Sequence, residues 1–129
     1  MAGTLVVDGN NVMGAAADGW WRDRPAAVLR LLGRLQRYAR TSGDAVVLVL
    51  DVPQADLSEG VADGVTVRYA NRKGRDAADD RIRELLDEGF SSPVVVVTSD
   101  RALAADARSR GATVVGAGSM LRRLDTAGC

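Results

Sequence analysis

The chain has 129 residues, of which 47% are hydrophobic and 26% charged, a balance that supports one globular domain with a buried core and excludes a disordered chain. Its 17 basic and 17 acidic residues cancel, so it cannot coat nucleic acid through bulk charge, and any nucleic-acid contact must be local. The absence of histidine removes the Ser-His-Asp triad, the histidine acid–base pair and the histidine zinc site, and a lone cysteine, Cys129, removes an intrachain disulfide and a cysteine-based metal site. What remains is carboxylate chemistry. No basic segment followed by an apolar run opens the chain, and no stretch approaches the roughly 20 apolar residues that span a bilayer. The expected compartment is the cytoplasm, and residues 1–129 are expected to form a single domain.

In chain order, residues 4–8 (TLVVD) read as a first strand, ending on an aspartate followed by Gly9, Asn10 and Asn11. Residues 14–24, rich in Gly, Ala and Asp, read as a mobile loop. An amphipathic helix is predicted over 25–40: Pro25 sits in its first turn, apolar residues fall at 28, 31, 32, 35, 38 and 39, and Arg30, Arg34 and Arg37 lie on the other side. A second strand follows at 45–51 (AVVLVLD), then a second mobile loop at 52–64 and a third strand at 65–70. Residues 76–88 form a helix stopped by Gly89, 93–99 a fourth strand, 101–110 a helix stopped by Gly111, 112–117 a fifth strand and 119–125 a short last helix. The strands are almost continuously hydrophobic, as strands covered on both faces are. This order predicts an α/β, three-layer α/β/α domain around a mostly parallel sheet of about five strands.

Three predicted strands end in acid: Asp8 and Asp51 close the first two, and Asp100 follows the fourth after Thr98 and Ser99. In a parallel sheet these ends share one edge, where ligands bind at the switch in strand order. Any one of these aspartates could be a turn or helix-capping residue, Asp100 most readily because it precedes a helix. Together on one edge they are harder to read as caps. A fourth source is "RKGRDAADDRIRELL", in which Asp76, Asp79 and Asp80 open a helix. With Ala78, Ile82, Leu85 and Leu86 defining the buried direction, Asp79 lies about 75° from it, Asp76 about 135° and Asp80 about 175°. Asp79 therefore faces the sheet edge, Asp80 faces water, and Asp76 is an N-cap or an outer partner of the site.

Two unit charges 4 Å apart repel by about 4 kcal/mol at an effective dielectric of 20, so a gathered carboxylate set needs a counterion. A hard divalent cation with oxygen ligands, Mg²⁺ or Mn²⁺, meets that need. One such ion, or a pair, could activate water for in-line attack on a phosphodiester. Asn10 or Asn11, with Thr98 or Ser99, would orient waters or phosphate oxygens. Two patches could carry nucleic acid. Arg68, Arg72, Lys73 and Arg75 precede the acidic helix and suit a phosphate backbone. "GWWRDR" offers Trp20 and Trp21 with Arg22 and Arg24, where an exposed indole could stack an unpaired base, although burial of one tryptophan against the first helix is the safer expectation.

The segments "LVVDGNNVMG", "DVP", "GRDAADDRI" and "VVVTSDRALAADARSRGATVVGAGSML" together resemble the NYN-domain family, in its bacterial YacP-like branch, a subgroup of the PIN-like metal-dependent ribonucleases. The resemblance covers nearly the whole chain. It implies a PIN-like fold and a metal-dependent endoribonuclease in which Asp8, Asp79 and Asp100 bind Mg²⁺ or Mn²⁺ and are catalytic, with Asp51 as a further, less firmly matched acidic position. Asn11 and Ser99 match the family's supporting polar residues. Asn10 stands where the branch commonly has Tyr, which removes a stacking ring there. The implied partner is single-stranded or loop RNA, with ribosome association left open, as are monomer and homodimer; no membrane is implied. Two other readings compete: a receiver-like domain with Asp51 as phosphoacceptor and Thr98 as switch, and a non-catalytic RNA-binding module. Against the receiver, "ATVVGAGS" has no lysine and Asp8 has no adjacent acidic partner. A dinucleotide-binding turn is excluded because "DGNNVMG" puts an acid where pyrophosphate must sit.

Overall fold

The computed structural model describes residues 3–129. The elements are β1 (Thr4–Asp8), α1 (Gly9–Ala15), a 3₁₀ turn (Trp20–Arg22), α2 (Arg24–Ser42), β2 (Ala45–Leu50), β3 (Gly60–Ala62), β4 (Val65–Tyr69), α3 (Ala77–Glu88), β5 (Val94–Val97), α4 (Arg101–Ser109), β6 (Thr113–Val115) and α5 (Ala117–Thr126). They form one six-stranded sheet in the order β3-β4-β2-β1-β5-β6, parallel except for β3. The α/β/α expectation holds, with one strand more than the five anticipated.

Alternation along the buried strands feeds two cores. Leu5 and Val7 of β1, with Val46, Leu48 and Leu50 of β2, pack toward α1, α2 and α5. Val6, Val47, Val49 and Val96 pack on the opposite face with Ile82 and Leu85 of α3 and Leu103 and Ala107 of α4. Each strand is therefore hydrophobic at consecutive positions because both of its faces are covered. Helix α2 buries Ala27, Val28, Leu31, Leu32, Leu35 and Tyr38, the stripe its sequence spacing predicts. Its ends are set by local chemistry: the Asp23 side chain accepts from the Ala26 N–H, and Gly43 closes the helix in the left-handed region.

Three elements depart from the sequence expectation. The sixth strand, β3, descends the outer edge and turns back into β4 through Asp63 (φ 46°) and Gly64 (φ 86°), with Ala62 paired to Val65. That is a two-residue hairpin of the type Asp-Gly favours. It explains how β2 and β4 run parallel as neighbours with no helix between them: the return path is a strand. The rest of segment 52–64 is anchored by Tyr69, whose N–H donates to Glu59 Oε1 (2.8 Å) and whose hydroxyl donates to the Leu57 carbonyl and accepts from the Gln54 N–H (3.3 Å). The segment 14–24, expected as a mobile loop, holds the end of α1, the 3₁₀ turn and the start of α2.

Helix α1 is the third departure. It starts directly at Gly9, with no room for a side chain: a Cβ there would lie 2.7 Å from Leu50 Cδ2, 2.9 Å from Leu48 Cδ1 and 2.9 Å from the Val49 carbonyl oxygen. Gly9 is needed for this close approach to β2, not for a left-handed turn. Because one of the blocking atoms is backbone, Gly9→Ala is expected to destabilise the fold by about 1–3 kcal/mol, the usual range for overpacking a filled site, read as a lower urea midpoint with an unchanged slope.

Candidate active site

The chain leaves β1 toward β2 on one side and returns to β5 on the other, so the switch in strand order falls between β1 and β5. Register then fixes what lies there. Val7 pairs with Val97, and one residue further along Asp8 stands beside Thr98, both on the face that carries α3. Asp8 is only 4% exposed and Thr98 1%. The Thr98 hydroxyl donates to Asp8 Oδ2 at 2.9 Å and accepts from the Asp100 N–H at 3.1 Å. Burial pushes the Asp8 carboxyl up to about 6; the Thr98 hydrogen bond and the Asn11 backbone N–H oppose this, and the charges of Asp79 and Asp100 add to it.

Asp79, half-buried in the first turn of α3, lines the same cleft of about 260 Å³ as Asp8, Asp51, Asp76 and Asp100. Its carboxyl is also raised, first by burial and then by the charges of Asp100 and Asp76, with Arg83 pulling the other way. Asp100 caps α4: its Oδ1 accepts from the Leu103 N–H at 2.8 Å. One carboxylate oxygen is thus committed to the helix while the residue still lines the cleft, so the capping role and the site position coexist. Among the described residues no Arg or Lys forms an ion pair with Asp8, Asp79 or Asp100. Nor do three acidic side chains close up tightly enough to enclose an ion by themselves.

The two asparagines tie α1 to the neighbouring strand ends. Asn10 Oδ1 accepts from the Asp51 N–H (3.0 Å), and Asn11 Oδ1 accepts from the Ser99 N–H (2.7 Å). Both line the cleft. Ser99 Oγ in turn accepts from the Ala117 N–H at 2.9 Å, the first residue of α5, so it satisfies a helix N-terminus from outside the helix. Of the two roles expected for Asp76, N-cap or outer partner of the site, the first is not realised, since its side chain makes no capping bond, and the residue lines the cleft. It occupies the position before α3 in the left-handed region (φ 59°, ψ 16°). Asp tolerates this conformation better than most residues. Asp80 faces outward as expected, held by Arg72 and Arg83, and the Arg72 hydrogen bond lowers its carboxyl below the ordinary range.

Asp51 lines the cleft, but its Oδ1 accepts from Arg24 Nη2 at 2.9 Å. Arg24 also lies over the Trp20 ring, 5.9 Å from its centroid, which links the tryptophan turn to the cleft wall. Nothing near Asp51 in the sequence points to this partner. Arg24 was legible as a basic residue near the tryptophans, but an ion pair spanning 27 positions has no local signal. Arg83, which joins Asp80 to Asp106, was missed for the same reason.

The basic stretch divides. Arg68 lies within β4, opposite Val49, and donates only to its neighbour's carbonyl. Arg72 is spent on Asp80 and on the carbonyls of Lys73 and Arg75, which fixes the loop into α3. Arg75 lines the cleft, and Lys73 stands exposed beside it. In the tryptophan turn, Trp20 packs against the core and Trp21 is 62% exposed, with Arg22 5.6 Å from its ring centroid. One indole is thus partly buried against the core and the other largely exposed.

A search of curated proteins gives no significant match. Among solved structures, the fold is similar to Rae1 (YacP) from Bacillus subtilis, with a TM-score of 0.77 and 25% identity over 95% of this chain and 74% of that one. The crystal structure of a mutant of the same protein gives 0.76 and 26% over 98% of this chain and 76% of that one. Residues 5–128 match the profile of the YacP-like NYN domain, and with this fold and this cleft the chain belongs to that family.

Proposed function

We propose that the protein is a metal-dependent endoribonuclease that hydrolyses phosphodiester bonds of single-stranded or loop RNA at the cleft between β1, β5 and α3. The observation that carries this reading is the meeting of Asp8, Asp79 and Asp100, from three separate elements, at the switch point, with the carboxyls of Asp8 and Asp79 raised and none of the three in an ion pair among the described residues. The donor set suits a hard cation. It is all oxygen, it repels itself, and its members stand apart as befits Mg²⁺ or Mn²⁺, which keep several waters and bind through one or two carboxylates. When bound, such an ion lowers the pKa of a coordinated water and offsets charge at the phosphoryl oxygens.

The chain's own residues divide the remaining work. Thr98 holds Asp8 in one orientation, and Asn10 and Asn11 fix the corner between β1 and α1 against β2 and β5. Arg24 holds Asp51, which serves as an outer ligand, and Asp76 is a second outer acid. Arg75 and Lys73 meet the incoming phosphate backbone, Trp21 with Arg22 stacks an unpaired base, and Arg72 supports the loop that presents Arg75. A receiver-like role suits the same residues poorly, because Asp51 is ion-paired and the Thr98 hydroxyl is committed to Asp8.

Cleavage of a single-stranded RNA is expected to require Mg²⁺ or Mn²⁺ and to stop in a chelator. Asp8→Asn, Asp79→Asn and Asp100→Asn should each lower the rate by at least about a hundredfold, the scale of losing a group that holds a catalytic ion. Asp100→Asn preserves the cap on α4, since Asn caps as well as Asp, so its loss of rate should come without loss of stability. Rates unchanged by all three substitutions, or undiminished in chelator, would sink the proposal, and tight RNA binding without any turnover would favour a non-catalytic module.

Asp8→Asn has a second readout. The folded protein binds the Asp8 proton more tightly than the unfolded chain does, with the carboxyl raised from 3.8 to about 6. Stability therefore falls as pH rises from about 4 to about 6 and stays at the lower level above that. The variant lacks this penalty and should be more stable than the parent above pH 7 by about 3 kcal/mol, the free-energy equivalent of the shift. The advantage should vanish below about pH 4. Added Mg²⁺ should stabilise the parent at neutral pH and leave the variant unmoved, as ligand linkage requires. Urea denaturation across this pH range, with and without the ion, measures both effects.

A further inference from the structure

Past Asp51 the acidic cleft opens into a larger cavity of about 670 Å³, lined by Val52, Pro53 and Ala70 together with Lys73 and Gly74. Asp51 and Gly74 line both spaces, so the two form one depression running along the ends of β1, β2 and β4. Its chemistry changes along its length. The first part is walled mainly by carboxylates and amides, the second mainly by aliphatic groups. Val52 is 47% exposed and belongs to the few large apolar side chains left in solvent among the described residues. Pro53 beside it is exposed as well.

The polar rim of this second cavity is held ready by the loop before α3. Arg72 binds Asp80 and two loop carbonyls, and Asn71 donates to Glu84, so both side chains are committed to the protein. Lys73 makes no ion pair among the described residues. An exposed, unpaired lysine, a mainly aliphatic lining and an acidic cleft next door match the needs of one nucleotide: a phosphate to be met by charge and a flat, weakly hydrated ring to be covered.

We propose that this cavity is a nucleobase subsite. The base next to the phosphate held in the acidic cleft lies against Val52 and Pro53, and Lys73 meets the phosphate on its far side. The proposal rests on the RNA-cleavage reading of the adjoining cleft and adds where the strand goes when it leaves that cleft toward β4. A wall of Val and Pro covers any base without reading its edges, so the subsite orders the strand and does not choose its sequence.

The test is a binding experiment in the presence of Mg²⁺, followed by the methyl resonances of Val52 and Ala70 during titration with adenosine 5′-monophosphate and, separately, ribose 5-phosphate. The nucleotide is expected to shift both residues, and the base-less sugar phosphate to leave them in place. Val52→Asn, on an exposed segment where folding is not at stake, should weaken nucleotide binding about fivefold, the effect of losing about 1 kcal/mol of apolar contact, with Mg²⁺ affinity unchanged. Resonances that ignore the nucleotide, or that respond equally to ribose 5-phosphate, overturn the subsite. The two readings fail separately. RNA cleavage by a protein whose Val52 signals ignore the nucleotide removes the subsite alone, whereas Val52 shifts in a protein that neither binds Mg²⁺ nor cleaves RNA remove the nuclease and keep the pocket.

Discussion

The buried carboxylate of Asp8 sets the terms for everything around it. A strand covered on both faces normally ends in an apolar or a capping residue, yet β1 carries an acid at 4% exposure whose single side-chain hydrogen bond comes from one threonine hydroxyl. Removing a carboxylate from water is among the more expensive things a fold can do, and neutral donors, the Thr98 hydroxyl and the Asn11 backbone N–H, do not offset it. The carboxyl rises to about 6 as a result. Asp79 and Asp100 face the same cleft, so the neighbours a burial site would need for compensation carry the wrong sign. Structural economy alone would not keep this arrangement. It is the pattern of a site whose compensating charge arrives from outside, and that is the physical basis of the functional reading.

The scaffold around Asp8 is correspondingly over-determined. Gly9 brings α1 within contact of the Leu48 and Leu50 side chains and the Val49 carbonyl, so the corner cannot shift away from β2 without opening the core. Asn10 and Asn11 then bond outward in opposite directions, one to the end of β2 and the other to the segment after β5. The Ser99 hydroxyl passes the restraint on to α5. Three strand ends and two helix starts are thus connected through short polar side chains, each satisfying a backbone N–H that the end of a strand or helix would otherwise leave unpaired. The rigidity a reaction centre needs is supplied by the same bonds that finish the secondary structure.

Much of this was legible because it follows from periodicity. The five longer runs of β-branched residues, the α2 stripe and the inward angle of Asp79 are consequences of the 2.0 and 3.6 residue repeats, and they agree with the structure. What escaped has local causes of two kinds. Helix α1 is seven residues long with two glycines and two asparagines, a composition of low helix propensity, and it exists through its tertiary bonds. Strand β3 is three residues long with Val61 77% exposed, so no hydrophobic pattern marks it, although "VADGV" carries the Asp-Gly hairpin signal that would have found it. The Arg24–Asp51 and Arg83–Asp106 pairs are of a different kind: they depend on which elements come together, and only the assembled fold contains that information.

A net charge of zero conceals how unevenly charge is distributed. Most arginines near the site are occupied: Arg24 by Asp51, Arg72 and Arg83 by Asp80, Arg81 by Glu84. These pairs shape loops and contribute little field at a distance, since an exposed ion pair is close to neutral beyond a Debye length. Among the described residues, Arg75 lines the cleft and Lys73 the adjoining cavity without an ion pair, next to the acids of the cleft. A polyanion approaching this edge meets repulsion at the centre and attraction at the margins. A divalent cation at the centre would offset two of the three carboxylates and so weaken the repulsion that opposes the attraction of the rims. On the proposed reading, metal uptake and strand binding would be coupled through electrostatics: the ion that would activate the water would also ease the approach of a phosphate to the cleft.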